Sequence, residues 1–323
     1  MSFKYRVATV FGGSGFLGRH FVQELARTGT IVRVASRRPS RSGWLRVMGT
    51  VGQITPIAVD VSRDDSVAAA VKGADFVVNL IGVLFESGNQ SFRLCHAEGP
   101  ARIARLAKAA GASRLIHVSA LGADPSSPSL YARSKAEGEK AVLEAFPEAT
   151  ILRPSVVFGA EDEFFNRFAT MAQFSPFLPL IGGGKTLMQP VYVNDVANAV
   201  MAALMDPATR GRTFELGGPR IYTFRELMEL MLSVTRRRKR LVDLSWGTAS
   251  RLAKILALLP NPPLTPDQVE LLKRDNVVSP GAADLRALGI MPTAAELVLP
   301  SYLERFRIGG RFAGQRSSGG VTH

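Results

Sequence analysis

Cysteine is nearly absent: Cys95 stands alone in 323 residues. That excludes a disulfide within the chain and any cysteine-built metal site, and no metal is expected; it suits a reducing compartment. Long apolar runs are missing too. No window reaches the roughly 18 uninterrupted apolar residues of a membrane span. The chain passes almost directly into "YRVATVF", so neither a signal peptide nor a transit sequence is expected. Acid is scarce: 27 Asp and Glu stand against 40 Lys and Arg, a formal net charge of +13. Such an excess points to an anionic partner. The apolar fraction of 46% excludes wholesale disorder. No internal repeat is present.

The first half alternates short apolar runs with amphipathic stretches. Strands are expected at Arg6–Phe11, Thr30–Ala35, Ile54–Val59, Phe76–Leu80, Arg114–Ser119 and Thr150–Leu152. Helices are expected at Phe16–Arg27, Asp64–Val71, Pro100–Ala110 and Leu130–Phe146. Apolar strands alternating with helices predict a Rossmann-type α/β fold, a doubly wound parallel sheet covered on both faces. A dinucleotide-binding domain would occupy residues 1–155. A smaller, mostly helical lobe, interleaved with it, would occupy 156–308, with helices at Glu163–Gln173, Asp195–Met205, Thr223–Ser233, Trp246–Leu259 and Thr265–Lys273. Asp195 is expected to start and cap its helix, and Thr265 to cap a helix opening at Pro266. The Gly/Ser-rich tail, 309–323, reads as mobile.

"ATVFGGSGFLG" is the strongest local signal. Gly12, Gly15 and Gly18 follow a strand and open a helix. The first permits a tight turn, the second a close approach of backbone to a pyrophosphate, and the third close packing of helix on strand. Ser14, Phe16 and Leu17 complete this turn, whose helix N-terminus attracts phosphate. At the end of the second strand, where an NAD site usually carries an acid, stand Ser36, Arg37 and Arg38. Guanidinium groups fit a 2′-phosphate and leave a bare diol without an acceptor, so the expected cofactor is NADPH. Asp60 and Val61, ending the third strand, suit the adenine. Asn79 followed by Leu80, Ile81 and Gly82, ending the fourth, would pass beside the ribose. "IGGGKT" is not a phosphate-binding P-loop, because Pro179 takes the place of that motif's first glycine.

"YARSK" sets Tyr131 and Lys135 four apart, on one helix face. A free phenol titrates near 10 and needs a neighbouring cation to act at neutral pH. With "GGSGFLG", "DVS", "NLIG" and "RPSVVFG" in this order, the chain resembles the extended, atypical short-chain dehydrogenase/reductases. In active members a tyrosine gives a proton to the substrate carbonyl, and a lysine one turn on holds the nicotinamide ribose; the resemblance implies those roles for Tyr131 and Lys135, catalytic, vestigial or merely cofactor-holding. It also implies that Ser119 lies by the cofactor and that the backbone of Pro154 and Val156 reaches the nicotinamide. The sequence departs from the pattern at Leu121, where a hydroxyl is usual, and at His96, where Asn is usual and a structural hydrogen-bonding role is expected.

"LLPNPPLTPDQVELLKRDNVVS" and "LGIMPTAAELVLPSYLERFR" extend a closer resemblance over nearly the whole chain, to the nucleotide-binding accessory subunits of respiratory complex I (NADH:ubiquinone oxidoreductase). That implies one tightly held NADPH, a place among the other complex I subunits on the peripheral arm near the quinone site, and support of assembly or stability with no turnover. It implies peripheral attachment, expected at the cytoplasmic side of a bacterial inner membrane. "RRRKR", Arg236–Arg240, precedes a helix with Leu252, Ile255, Leu256 and Leu259 on one stripe. This pattern suits an anionic membrane surface or an acidic partner as well as it suits a core-facing helix. Nucleic acid is disfavoured, since no aromatic interleaving or reader motif accompanies the charge. The alternatives are a free NADP-dependent reductase or epimerase and a sensor of the NADPH/NADP ratio.

Overall fold

The apolar runs of the first half become the strands of a parallel sheet. The computed structural model describes residues 5–260 and 262–310. In chain order the elements are β1 (Val7–Phe11), α1 (Phe16–Ala26), β2 (Ile31–Ser36), β3 (Ile54–Ala58), α2 (Asp64–Val71), β4 (Phe76–Asn79), α3 (Gly99–Ala109), β5 (Arg114–Val118), α4 (Leu130–Ala145) and β6 (Thr150–Pro154). There follow β7 (Val157–Phe158), α5 (Phe165–Phe174), β8 (Phe177–Ile181), β9 (Leu187–Met188), β10 (Val191–Tyr192), α6 (Val193–Met205) and β11 (Thr213–Leu216). The last are β12 (Tyr222–Thr223), α7 (Phe224–Thr235), β13 (Arg240–Leu244), α8 (Trp246–Leu256), α9 (Pro266–Leu271) and α10 (Ala295–Leu303).

The chain forms two units. The first runs to Ser155 and takes the chain back at Val193–Gly217 and Val278–Pro292; the second holds Val156–Tyr192, Gly218–Val277 and the chain from Thr293 on. A linear division at 155/156 does not include those two returns. α6, expected in the smaller lobe, belongs to the first unit and packs on α1, β5 and β6.

The first unit is a seven-stranded sheet in the order β11-β6-β5-β4-β1-β2-β3, every pair parallel. α1 and α6 pack together, as do α2, α3 and α4 in series. β4 and β5 are buried along their whole length, as strands covered on both faces must be, and so carry no polar alternation. The order reverses between β1 and β4, so that a crevice opens at their carboxyl ends. β11 is an addition to the expected strands: "TFEL" is four residues with a glutamate, too short and polar to signal by pattern. Its Glu215 binds Arg153 of β6, and the Glu215 Oε2 accepts from Ser279 N at 2.8 Å.

The second unit is built on Phe158, Phe165, Leu178, Phe224, Met228, Leu299 and Tyr302, all buried. Three two-stranded ladders, β7 with β10, β9 with β12 and β8 with β13, join its helices. Thr265 caps α9 with Pro266 in its first turn, and Thr265 and Gln268 close a capping box. α6 begins at Val193, so Asp195 lies inside its first turn rather than at its cap. α10 carries Pro300 inside it, which is why the sequence does not announce it as a helix. "IGGGKT" follows β8 with three glycines at positive φ and leads to a strand, not to the helix a P-loop needs. The helix of the Leu252 stripe ends at Leu256 and turns its alanines inward: Ala249 and Ala253 are buried, while Leu252 and Ile255 are 40% and 66% exposed, Leu256 is half-buried, and Leu259, 49% exposed, lies past the helix end. A core-facing stripe is thereby excluded. From residue 311 the expected mobile tail lies outside the described residues.

Candidate functional site

The turn between β1 and α1 sits at the crevice. Gly12 has φ +77°, and a Cβ there would lie 2.9 Å from the Leu80 carbonyl carbon and 3.1 Å from Ile81 N. Only glycine lets the ends of β1 and β4 come this close. A Cβ on Gly18 would collide with the Gly12 carbonyl oxygen and approach Gly13 at 2.6 Å, so helix and turn touch without a side chain between them. Gly15 is exposed at the N-cap of α1, with no side-chain cap and no acid in the first turn. An anion would meet uncapped helix N–H groups there.

Beyond β2, Arg37 and Arg38 are exposed, and a pocket of about 630 Å³ opens between them and the loop after β4. Arg41, Ser14 and Asn89 also line it. Among the described residues no carboxylate pairs with Arg37, Arg38 or Arg41. Arg41 was legible only in hindsight: the short 3₁₀ segment Pro39–Met48 turns it back toward Arg38, whose carbonyl accepts from Arg41 N at 3.0 Å. Asp60 is exposed, its Oδ1 accepting from Ser62 N and Oγ at 2.9 and 2.7 Å. The Ser62 side chain, then its amide, holds the carboxyl below its usual range. Val61 packs on the α2–α3 side and its carbonyl accepts from Arg102 at 2.7 Å.

Deeper in, α4 presents Tyr131 and Lys135. Lys135 is 3% exposed, and its Nζ lies 5.8 Å from the centroid of the Tyr131 ring. A carbon placed on Gly82 would lie 3.2 Å from that Nζ, so Lys135 reaches the end of β4. Burial pushes the ammonium down to about 8, with Glu139 acting against the shift. Leu121 is buried and its amide donates to the Pro154 carbonyl at 2.9 Å, so no hydroxyl stands at that position. Ser119 is buried and its Oγ has no partner. His117, two residues earlier on the same side of β5, is in the same state: Asn79 Oδ1 accepts from Ile81 N, its amide therefore donates to His117 Nδ1 at 3.1 Å, and His117 Nε2 has no partner.

His96 is structural. Its Nε2 accepts from Val83 N at 3.0 Å, which puts the proton on Nδ1, 2.9 Å from Ser134 Oγ; that hydroxyl donates to the Tyr131 carbonyl. Burial, then Lys135 and His117, pull His96 down to about 2, so it is neutral at physiological pH. It lies in a π-helical segment, Arg93–Glu98, that leads into α3 and that periodicity does not reveal. A Cβ on Gly138 would collide with the His96 carbonyl, so α4 rests directly on this wide turn. Pro154 ends β6, and Val156 belongs to the second unit, where its N–H donates to Asn276 Oδ1 at 3.2 Å. The residues from Gly12 to Pro154 named above thus lie in one unit, and Val156 in the other.

Residues 8–217 match the NAD dependent epimerase/dehydratase family. A protein of Arabidopsis thaliana named NADH dehydrogenase (ubiquinone) 1 alpha subcomplex subunit 9, mitochondrial, is 42% identical over 316 residues, 94% of this chain and 79% of its own. The chain belongs to the subunit 9 family, within the epimerase/dehydratase family. A Ceramide reductase of Caulobacter vibrioides is 34% identical over 244 residues, 74% of this chain and 73% of its own. Among solved structures, an NADPH-dependent quinone oxidoreductase of Escherichia coli superposes with a TM-score of 0.71 over 92% of this chain and 98% of its own, at 20% identity. At that identity the likeness is one of fold, and it covers the subunit 9 fold described above. Among the described residues no helix is long and apolar enough to cross a membrane, and no cluster of side chains could hold a metal ion.

Proposed function

We propose that this protein is an accessory subunit of an NADH:ubiquinone oxidoreductase that holds one NADPH as a structural element and supports assembly or stability without turnover. The observation that carries this reading is the identity to subunit 9, which extends through both units. A nicotinamide dinucleotide fits the residues present. The Gly12–Gly18 turn would take the pyrophosphate, and Leu80, Ile81 and Gly82 would flank the ribose. Lys135, whose Nζ reaches Gly82 at the end of β4, would donate to the ribose hydroxyls, and the unpartnered Ser119 Oγ would supply a further polar contact. Arg37 and Arg38 favour NADPH over NADH, because a 2′-phosphate would satisfy guanidinium groups that otherwise face no acid. Phe16, Leu17, Asp60, Val61 and Pro154 complete the proposed contacts.

Docking is proposed to use the second unit. Its exposed Leu252, Ile255 and Leu259 lie beside Arg251 and Lys254, with Arg236–Arg240 close in sequence. Such a face suits acidic subunits near the quinone site or an anionic membrane surface. Attachment is then peripheral. The test is a native gel of mildly solubilised membranes, blotted for this chain beside an NADH-oxidation stain. Comigration with the large NADH-oxidising band is expected; migration only as a small soluble species overturns the reading.

A second reading, an NADP-dependent reductase, is favoured by the likeness to Ceramide reductase and by the intact Tyr131–Lys135 pair. When bound, the nicotinamide would supply hydride. Tyr131 would give its phenolic proton to the carbonyl oxygen and Lys135 would stabilise the phenolate left behind, with Leu121 giving no second donor. Under this reading Tyr131→Phe abolishes substrate-dependent NADPH oxidation. Under the first it leaves nucleotide loading and assembly intact.

A further inference from the structure

The pocket beside Arg37 and Arg38 has a second wall. The loop after β4 folds into a tight turn in which Ser87 and Gln90 exchange amide-to-carbonyl hydrogen bonds of 3.1 and 3.0 Å, with Gly88 at φ +54°. Ser87, Gly88, Asn89 and Gln90 line the pocket opposite Arg37, Arg38 and Arg41. The turn is tethered. Glu86 Oε1 accepts from Phe92 N at 2.7 Å, which commits its carboxylate away from the pocket.

The same segment reaches the other end of the site. Phe92, two residues past the turn, stacks on His96 with centroids 5.3 Å apart and planes at 20°. It also meets the Tyr131 ring edge-on at 5.8 Å. His96 in turn lies 5.2 Å from Tyr131 and is bonded to Ser134 of the same helical turn. A short stretch of chain, residues 86–96, therefore runs from the phosphate pocket to Tyr131, held by its own hydrogen bonds at the first end and by the His96–Ser134 bond and the Tyr131 ring contacts at the other.

We infer that the Ser87–Gln90 turn is a specificity element that closes on the 2′-phosphate opposite the arginines and, through Phe92, sets Tyr131 according to whether that phosphate is present. The inference rests on the reading that Arg37 and Arg38 take a 2′-phosphate. NADPH and NADH differ only there, so a difference felt at Tyr131 has to travel along the chain or through the nucleotide. A nucleotide that binds two settings of the turn equally shifts neither.

The experiment uses the full chain with its tyrosines replaced by 3-fluorotyrosine, the Tyr131 resonance being assigned by its loss in Tyr131→Phe. Affinities for NADPH and NADH are measured alongside by nucleotide fluorescence. NADPH is expected to move the Tyr131 fluorine resonance and saturating NADH to leave it near its free position. Ser87→Ala with Asn89→Ala, both on an exposed turn, should weaken NADPH about tenfold, the size of one or two lost hydrogen bonds to a charged group, and leave NADH unchanged. Phe92→Leu should keep the NADPH affinity while suppressing the shift at Tyr131. Equal shifts with both nucleotides, or an unaltered NADPH affinity in the double variant, overturn the inference while the nucleotide preference stands. Equal affinities of the unaltered protein for the two nucleotides overturn the underlying reading and this inference together.

Discussion

Lys135 should make the free protein less stable than it would be with an apolar residue in its place. The residue is 3% exposed, and burial brings its ammonium from 10.5 to about 8. At about 1.4 kcal/mol per pH unit, that shift is a penalty of about 3 kcal/mol at neutral pH. The sign follows from proton counts. Between about pH 8 and 10.5 the unfolded chain holds more protons than the folded one, so stability rises with pH through that window; below it the penalty is constant. Lys135→Met removes the titration and keeps most of the volume. In a Trp246→Phe background, Trp44 becomes the only tryptophan and reports on the first unit alone. Urea unfolding followed by that tryptophan should show the variant about 1–3 kcal/mol more stable at pH 7. Its advantage should shrink toward zero near pH 10.5. NADPH affinity should fall by tenfold or more, because the lysine that burdens the free protein is the one proposed to hold the ribose. A variant less stable at pH 7, or an advantage that does not change with pH, would refute the reasoning.

Three further outcomes are expected. His96 and His117, drawn down to about 2 and about 3 by burial, stay neutral when folded and take up protons when unfolded below 6.5. The first unit should therefore lose up to about 1.4 kcal/mol per histidine per pH unit as pH falls from 6.5, and His96→Asn with His117→Gln should flatten that slope in acid titrations of stability. Ser119→Ala removes a buried hydroxyl without a partner; it should leave the free protein unchanged or up to about 1 kcal/mol more stable, and weaken NADPH by a few-fold in a binding titration. Arg153→Met leaves the buried Glu139 and Glu215 without their ion-pair partner; a loss of about 3–5 kcal/mol is expected in urea unfolding, with most of it recovered when both glutamates are also made apolar.

The sheet through β6 was legible because strands buried on both faces leave continuous apolar runs, and because three glycines at fixed spacing have few other uses. The arginines after β2 were legible by what they replace. Arg41 was not, since nothing in "RRPSR" shows that a 3₁₀ turn at Pro39 folds it back beside Arg38. Nor was the Ser87–Gln90 wall, which lies some fifty residues from Arg37 in the chain and meets it only in the fold. The π-helical turn at Arg93 has no period that a 3.6-residue reading detects. β11 was missed because it is short and carries a glutamate, and α6 was misplaced because membership of a unit depends on which sheet edge a segment returns to, of which local pattern carries no record.

The two returns of the chain also fix an order of events during synthesis. β6 is complete by Pro154, but its neighbour β11 begins only at Thr213, and the segment pinned by Glu215 through Ser279 comes later still. The ribosome must add roughly 140 residues between the end of β6 and the completion of the first unit, on the order of 10 s at about 5–20 residues per second. For that interval β6 is an unpaired edge of a sheet whose Gly12–Gly18 turn is already synthesised. A nascent chain stalled after residue 155 should therefore need a holding chaperone to stay soluble, and nucleotide supplied during translation should reach the turn before the sheet is closed.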